Sequence, residues 1–339
     1  MRRAIGIPLM ALAAAFPGAA TAEVLTIEGI YAARDPGAIE VEEIVVERFG
    51  GEIGEQLALA LTDRLEAIAL DGQPYFGLRA ATGGGDRVYV YGADTPAGGN
   101  SPIERAGPVT ATLRGTASSE VTETLSGTTK QTRCLRKNEK GMCVEKTIDV
   151  YECRELTVSL APELRLFAPE RGTLYAARDR LSRSVRFCGN DSSIPSALPM
   201  MEELIDRFAT RVRLDLAPQF RREDVRVLES RKGLAKGDSA AFKQAVKLTK
   251  NDQLAACLRF NELAERNPGQ ASAVFNAGLC AERDGRLEEA AAKYRRALAT
   301  GEGEAYSRAG LERVASRLEA EQQLELRYPP AEPDTDEAL

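Results

Sequence analysis

The sequence predicts an α+β protein: an α/β-type domain of sheet and helix with a long antiparallel hairpin, followed by an all-α module of helical hairpins. Over the first two-thirds of the chain, short β-rich runs alternate with amphipathic helical stretches. After residue 233 every predicted element is a helix, and residues 34 positions apart resemble each other. We therefore expect an α/β domain over residues 23–232 and a helical module over residues 233–325.

The first 22 residues have the pattern of a secretory signal peptide. Arg2 and Arg3 precede an apolar run of 13 residues, and small residues ending at Ala22 follow Pro17. A membrane-spanning helix needs roughly 20 apolar residues, so this run is too short to be one. We expect cleavage after Ala22, a periplasmic location and no membrane span.

Composition excludes several functions. The chain has 51 acidic and 45 basic residues, so it lacks the basic surface that binds nucleic acid. It contains no histidine, which rules out a Ser-His-Asp triad, a Cys-His pair and any metal or haem site that needs an imidazole. Carboxylate-only or Ser-Lys chemistry survives this exclusion, but no arrangement of residues supports it. We predict no catalytic residue, no cofactor and no metal site, and so no enzyme.

The predicted elements of the α/β domain follow from their periodicity. Residues 53–70 carry Leu57, Leu61 and Leu65 at helical spacing, and a second amphipathic helix runs from Leu198 to Leu216. Alternating apolar residues and many Ser and Thr residues from Val109 onward indicate antiparallel strands with one solvated face. The remaining strands are expected at 24–30, 39–49, 75–80, 174–188 and 225–228.

The six cysteines predict three disulfides. Cys134 and Cys143, Cys153 and Cys188, and Cys257 and Cys280 are each placed symmetrically about a turn-like sequence. Buried free thiols are one alternative, because cysteine is common in protein cores. A zinc site among the four cysteines between 134 and 188 is another, but that region has no C-x2-C pair.

The helical module repeats at a distance of 34 residues. Ala256 recurs as Ala290 and Phe260 as Tyr294, and a helix stop follows each copy. The predicted hairpins comprise helices at 240–250 with 254–265 and at 271–283 with 287–299, before a capping helix at 305–324. Small residues at one helix crossing and an aromatic four positions later are the pattern of the tetratricopeptide repeat (TPR), and the module is identified as similar to that family.

The TPR resemblance implies a concave protein-binding face made by the first helix of each hairpin. Carried onto this chain, the exposed candidates for that face are Phe275, Asn276, Leu279, Glu282, Arg283 and Tyr306. Asn276 stands where TPR relatives clamp a peptide carboxylate. Ala241, Ala245 and Gly310 replace the basic residues of such a clamp, so a C-terminal carboxylate is not the expected ligand.

Residues 24–230 resemble the periplasmic α/β domain of curli-type secretion lipoproteins and the amino-terminal domain of TolB-like proteins. The helix at 53–70, the hairpin from 164–167 to 172–175 and the helix end at 215–218 carry the resemblance. It implies a fold and leaves function open.

We expect a non-enzymatic adaptor of the cell envelope that binds an envelope protein or peptide through the TPR face. The alternative is a homo-oligomerising subunit of a curli-like secretion or surface-assembly machine. The proline-rich acidic tail, residues 326–339, is expected to be disordered.

Overall fold

The computed structural model describes residues 23–70, 72–81 and 109–329. The predicted signal peptide and residues 330–339 of the predicted tail lie outside the described residues. The chain divides into two compact units: unit 1 comprises the residues up to Gly29 with Arg222–Ala315, and unit 2 comprises Ile30–Arg221 with Ser316–Leu339. Mixed sheets followed by a helical region confirm the predicted α+β class.

The predicted elements are present with shifts of a few residues at their ends. In chain order they are β1 (Val24–Tyr31), β2 (Val41–Val46), α1 (Gly54–Glu66), β3 (Ala69–Leu70), β4 (Gln73–Pro74), β5 (Gly77–Ala80), β6 (Val109–Lys137), β7 (Cys143–Ala168), β8 (Gly172–Arg178), β9 (Leu181–Cys188), α2 (Ala197–Leu216), β10 (Gln219–Arg226), α3 (Lys236–Leu248), α4 (Gln253–Arg266), α5 (Ala271–Arg283), α6 (Leu287–Leu298) and α7 (Glu304–Arg327).

Unit 2 is built on a six-stranded mixed sheet. Its strand order is β5-β2-β6-β7-β8, and β9 pairs with β7 beyond the end of β8. Strand β2 runs parallel to both β5 and β6, whereas the pairs made by β7 are antiparallel. Helices α1 and α2 contact each other and pack on the sheet. The predicted stripe of Leu57, Leu61 and Leu65 is completely buried in this core, which confirms that periodicity.

Strands β6 and β7 form a hairpin that outgrows the core. They contain 29 and 26 residues and pair from Thr112 opposite Phe167 to Lys137 opposite Cys143. We call residues 121–152 the hairpin arm. Its side chains are mostly exposed, including Leu125, Ile148 and Val150, each more than half exposed. At about 3.3 Å per residue, the 17 residues from 121 to 137 extend for about 55 Å.

All three predicted disulfides are confirmed. Cys153 lies directly opposite Cys188 in the β7–β9 ladder, as the symmetry predicts. The Cys134–Cys143 bond forms at the end of the arm, but the predicted register there is wrong. Bulges near the arm's end place Cys134 opposite Lys146 instead, and the bond spans a Cα–Cα distance of 5.8 Å diagonally. These disulfides indicate an oxidising, exported environment.

Unit 1 combines a two-stranded sheet with the helices. Strands β1 and β10 pair with each other, and Leu25 and Ile27 of β1 are completely buried. The disulfide between Cys257 and Cys280 ties α4 to α5. Among the helices of the described residues, none has the length and apolar character needed to cross a membrane. The strand predicted at 225–228 corresponds to β10, which ends earlier, at Arg226.

Candidate functional site

Helix α5 is the central helix of the helical module. All of its residues except Arg283 are buried, because small residues line much of its surface and allow neighbouring elements to approach closely. A methyl group added at Gly278 would lie 2.8 Å from a ring carbon of Tyr294 in α6. One added at Gly310 of α7 would lie equally close, at 2.8 Å, to the other edge of the same ring. The Tyr294 ring therefore fits between two glycines.

Asn276 of α5 binds both main-chain groups of one residue, Leu228. Its Oδ1 accepts a hydrogen bond from the Leu228 N–H at 2.8 Å, and its Nδ2 donates one to the Leu228 carbonyl at 2.8 Å. Gln270, just before α5, donates from Nε2 to the carbonyl of Ser230 at 2.8 Å, while its Oε1 caps the helix. We call Val227–Ser230 the latch segment. It lies along α5 as an extended chain that side-chain amides hold by its backbone.

The Leu228 side chain fixes the latch segment at a second place. Its Cδ1 would lie 2.7 Å from a methyl group added at Gly303, in the turn before α7. Gly303 has a φ of +67°, a conformation that favours glycine, so this position stays free of a side chain. Two residues after the latch segment, Lys232 forms an ion pair with Glu302 of the same turn at 3.3 Å.

A buried charged network joins α5, α6 and α7. Glu282 is completely buried, accepts a hydrogen bond from the Tyr294 hydroxyl at 2.5 Å and pairs with Arg313. Burial raises the pKa of Tyr294, and the charge of Glu282 raises it further. Burial alone would lower the pKa of Arg313, but the hydrogen bonds and charge of Glu282 outweigh that effect and raise it.

The predicted binding face is largely covered. Phe275, Asn276, Leu279 and Glu282 have no exposed surface, so the expectation that they are exposed is wrong. The physical reason is that the latch segment and the start of α7 cover α5. Tyr306 stacks edge-on near Phe275 and remains 42% exposed. Arg283 is partly buried, with its Nη1 3.7 Å from the sulfur of Cys257.

Three residues that shape this site have no signal in the sequence. Leu228 precedes Asn276 by 48 residues, and Arg313 follows Glu282 by 31, so no periodicity links these partners. Gln270 lies in a Pro-Gly turn, where polar residues are ordinary. A buried Asn or Glu in a helix predicted to be central could have signalled that each needs a partner.

The hairpin arm offers a second candidate surface. Strand β2 pairs with β6 only as far as Leu113, and a single bridge joins Gly50 to Thr116. Beyond that bridge, no described strand pairs with the outer edge of β6. The arm's faces carry ion pairs, such as Arg133 with Asp149 at 2.8 Å. Within the described parts of the chain, no group of three or more acidic or cysteine side chains is placed to hold a metal ion.

Comparisons with known proteins give little. No family model matches the chain, and no curated protein matches it. Among solved structures, one similar chain is a Helicobacter pylori protein described as a neuraminyllactose-binding hemagglutinin homolog. The match has a TM-score of 0.23 and 8% identity, and covers 63% of this chain and 93% of that chain. A similarity this low supports no conclusion about fold or function.

Proposed function

We propose that this chain is a non-enzymatic, exported adaptor of the cell envelope whose TPR-like module binds an extended segment of another protein. The observation that carries the proposal is the pair of hydrogen bonds between Asn276 and the backbone of Leu228. Main-chain recognition of this kind does not depend on sequence and suits an extended peptide. An α5 helix that holds its own chain in this way has the groups needed to hold a foreign one.

The internal symmetry of the module supports the TPR assignment. In the first hairpin, Phe260 of α4 packs on Phe242 of α3 with ring centroids 5.7 Å apart. In the second, Tyr294 of α6 packs on Phe275 of α5 at 5.4 Å. Each hairpin thus joins its helices through one aromatic pair, at equivalent positions of the 34-residue repeat. Modules of stacked hairpins commonly bind proteins.

The three disulfides support export, and the periplasm is the compartment that we propose. Cleavage after Ala22 belongs to the same proposal. Sequencing the amino terminus of the mature protein tests it: a chain beginning at Glu23 supports the proposal, and retention of Arg2 and Arg3 contradicts it.

Site-specific photocrosslinking in intact cells tests the adaptor role. A photoreactive amino acid replaces Tyr306, which lies at the edge of the module and is 42% exposed, and in a matched control it replaces Leu59 of α1, 60% exposed. We expect an adduct with a different protein from position 306 and none from position 59. No adduct from position 306 contradicts the adaptor proposal.

The hairpin arm favours a second candidate function, that of a homo-oligomerising subunit of a curli-like secretion or surface-assembly machine. A strand edge with free N–H and carbonyl groups is a template for pairing with another chain. A photoreactive residue at Thr132 of the arm would then give an adduct of twice the protomer mass. Light scattering after size-exclusion chromatography would give a multiple of that mass. A monomer at tens of micromolar, without such an adduct, contradicts this candidate.

A further inference from the structure

The backbone-binding face of α5 is occupied by the chain itself. Asn276 has no exposed surface, and its donor and its acceptor are both satisfied by Leu228. An amide buried without partners is unfavourable, so the face has to be covered by an extended chain of some origin. The latch segment, Val227–Ser230, is the chain that covers it here.

We propose that the latch segment is a built-in ligand, which another protein's extended segment displaces from α5. This inference rests on the proposed adaptor function and specifies its ligand. The displacing segment presents one free N–H and one free carbonyl to Asn276 and places an aliphatic side chain where Leu228 meets Gly303. A basic residue four positions later takes the place of Lys232 beside Glu302.

The latch segment is held in a manner that permits exchange. Leu228 is only half-buried, and Glu229 and Ser230 are exposed. Besides the packing of Leu228 and the burial of Val227, its contacts with α5 and the preceding turn are hydrogen bonds from two side-chain amides. An incoming strand can form each of these bonds again, so exchange leaves no buried group unpaired. Because the built-in ligand is intramolecular, it competes at a high effective concentration and keeps external binding weak.

A labelled peptide with the sequence of residues 226–232, RVLESRK, tests the proposal by fluorescence anisotropy with the full chain. The variant Leu228→Pro removes the N–H that Asn276 accepts and should free the face. We expect the peptide to bind this variant at least tenfold more tightly than the wild type. The double variant Leu228→Pro with Asn276→Ala should lose that gain. A peptide with proline in place of leucine, RVPESRK, should bind neither protein.

Equal affinity of the peptide for the wild type and a folded Leu228→Pro variant overturns the proposal, as does a gain that survives Asn276→Ala. Circular dichroism checks the fold of each variant. If Leu228→Pro does not fold, hydrogen exchange of the wild type decides. We expect the Leu228 amide to exchange at least tenfold faster than the Ala277 amide of α5, because the latch opens locally. Equal protection of the two amides overturns the inference.

The crosslinking and peptide experiments separate the two proposals. Peptide binding to Leu228→Pro without any adduct at position 306 supports the latch and contradicts the adaptor function. An adduct at position 306 without peptide binding keeps the adaptor function and removes the latch as its regulator.

Discussion

Arg313 donates two hydrogen bonds to the completely buried carboxylate of Glu282, from Nε at 2.9 Å and from Nη2 at 2.7 Å. The pair links α7 to α5, and Tyr294 of α6 donates a further bond to the same carboxylate. A buried ion pair is not strongly stabilising in itself, but breaking it leaves one charge without compensation. The network therefore makes the fixing of α7 on the helical hairpins depend on both partners.

Replacing Arg313 by methionine should lower the free energy of unfolding by about 3–5 kcal/mol, because Glu282 then stays buried without its partner. Urea denaturation measures the change. The matched control is Arg308→Met, which removes an exposed pair with Glu304 in the same helix and should cost no more than about 0.5 kcal/mol. Equal effects of the two substitutions would mean that the buried pair has no special role.

Gly278→Ala should destabilise the helical module by about 1–3 kcal/mol. Its methyl group would lie 2.8 Å from the Tyr294 ring, and overpacking outweighs the helix propensity that alanine gains. Gly237→Ala is the control, because Gly237 of α3 has no atom within 4 Å of the added methyl group. That variant should keep or slightly increase the stability. Urea midpoints that rise for both variants would refute the close packing.

The disulfides should differ in their contribution to global stability. Removing Cys257–Cys280, with a sequence separation of 23 residues, should cost about 3 kcal/mol, since it closes a loop within the packed helices. Removing Cys134–Cys143 from the exposed arm should cost less than about 1 kcal/mol, because the arm can unfold locally. Both cysteine pairs are replaced by alanine and compared by denaturation. The opposite order would show that the arm folds together with the core.

Alkaline pH should destabilise the fold through buried tyrosines. Burial raises the pKa of Tyr75 to about 12, and also raises the pKa values of Tyr175 and Tyr294. In the unfolded chain these hydroxyls ionise near pH 10. Unfolding then releases protons, so this contribution to stability is complete below about pH 10 and falls as the pH rises towards 12.

Absorbance at 295 nm follows this ionisation directly. In the folded protein, fewer than the nine tyrosines of the sequence should ionise by pH 11, whereas a sample unfolded in guanidinium should show all nine near pH 10. Identical titration curves for the folded and unfolded samples would contradict the burial of these hydroxyls.

Local patterns in the sequence predict much of the fold. The spacing of Leu57, Leu61 and Leu65 predicts the buried face of α1, and α5 begins and ends where its pattern indicates. The three cysteine pairs follow from turns that lie between their members. These features depend on residues close in the chain or symmetric about one turn, which is the information that a single sequence contains.

The candidate site depends on distant partners and could not be predicted in the same way. Asn276 looks like an exposed binding residue in the repeat pattern, but Leu228, 48 residues earlier, buries it. Glu282 looks like a solvated charge until Arg313 is placed beside it. The TPR and curli-type resemblances, and the partner of the binding face, stay predictions.

Strand β1 acquires its partner only late in synthesis. Val24–Tyr31 pairs with Gln219–Arg226, so residues 32–218 must be made before this sheet can close. Until then an apolar strand with Leu25 and Ile27 has both edges free and is at risk of pairing with another chain. Pairing over so long a stretch of chain is slow, so docking of β1 is expected to be the last step of folding. A chaperone that shields this strand from its emergence until β10 has formed would raise the yield of native protein.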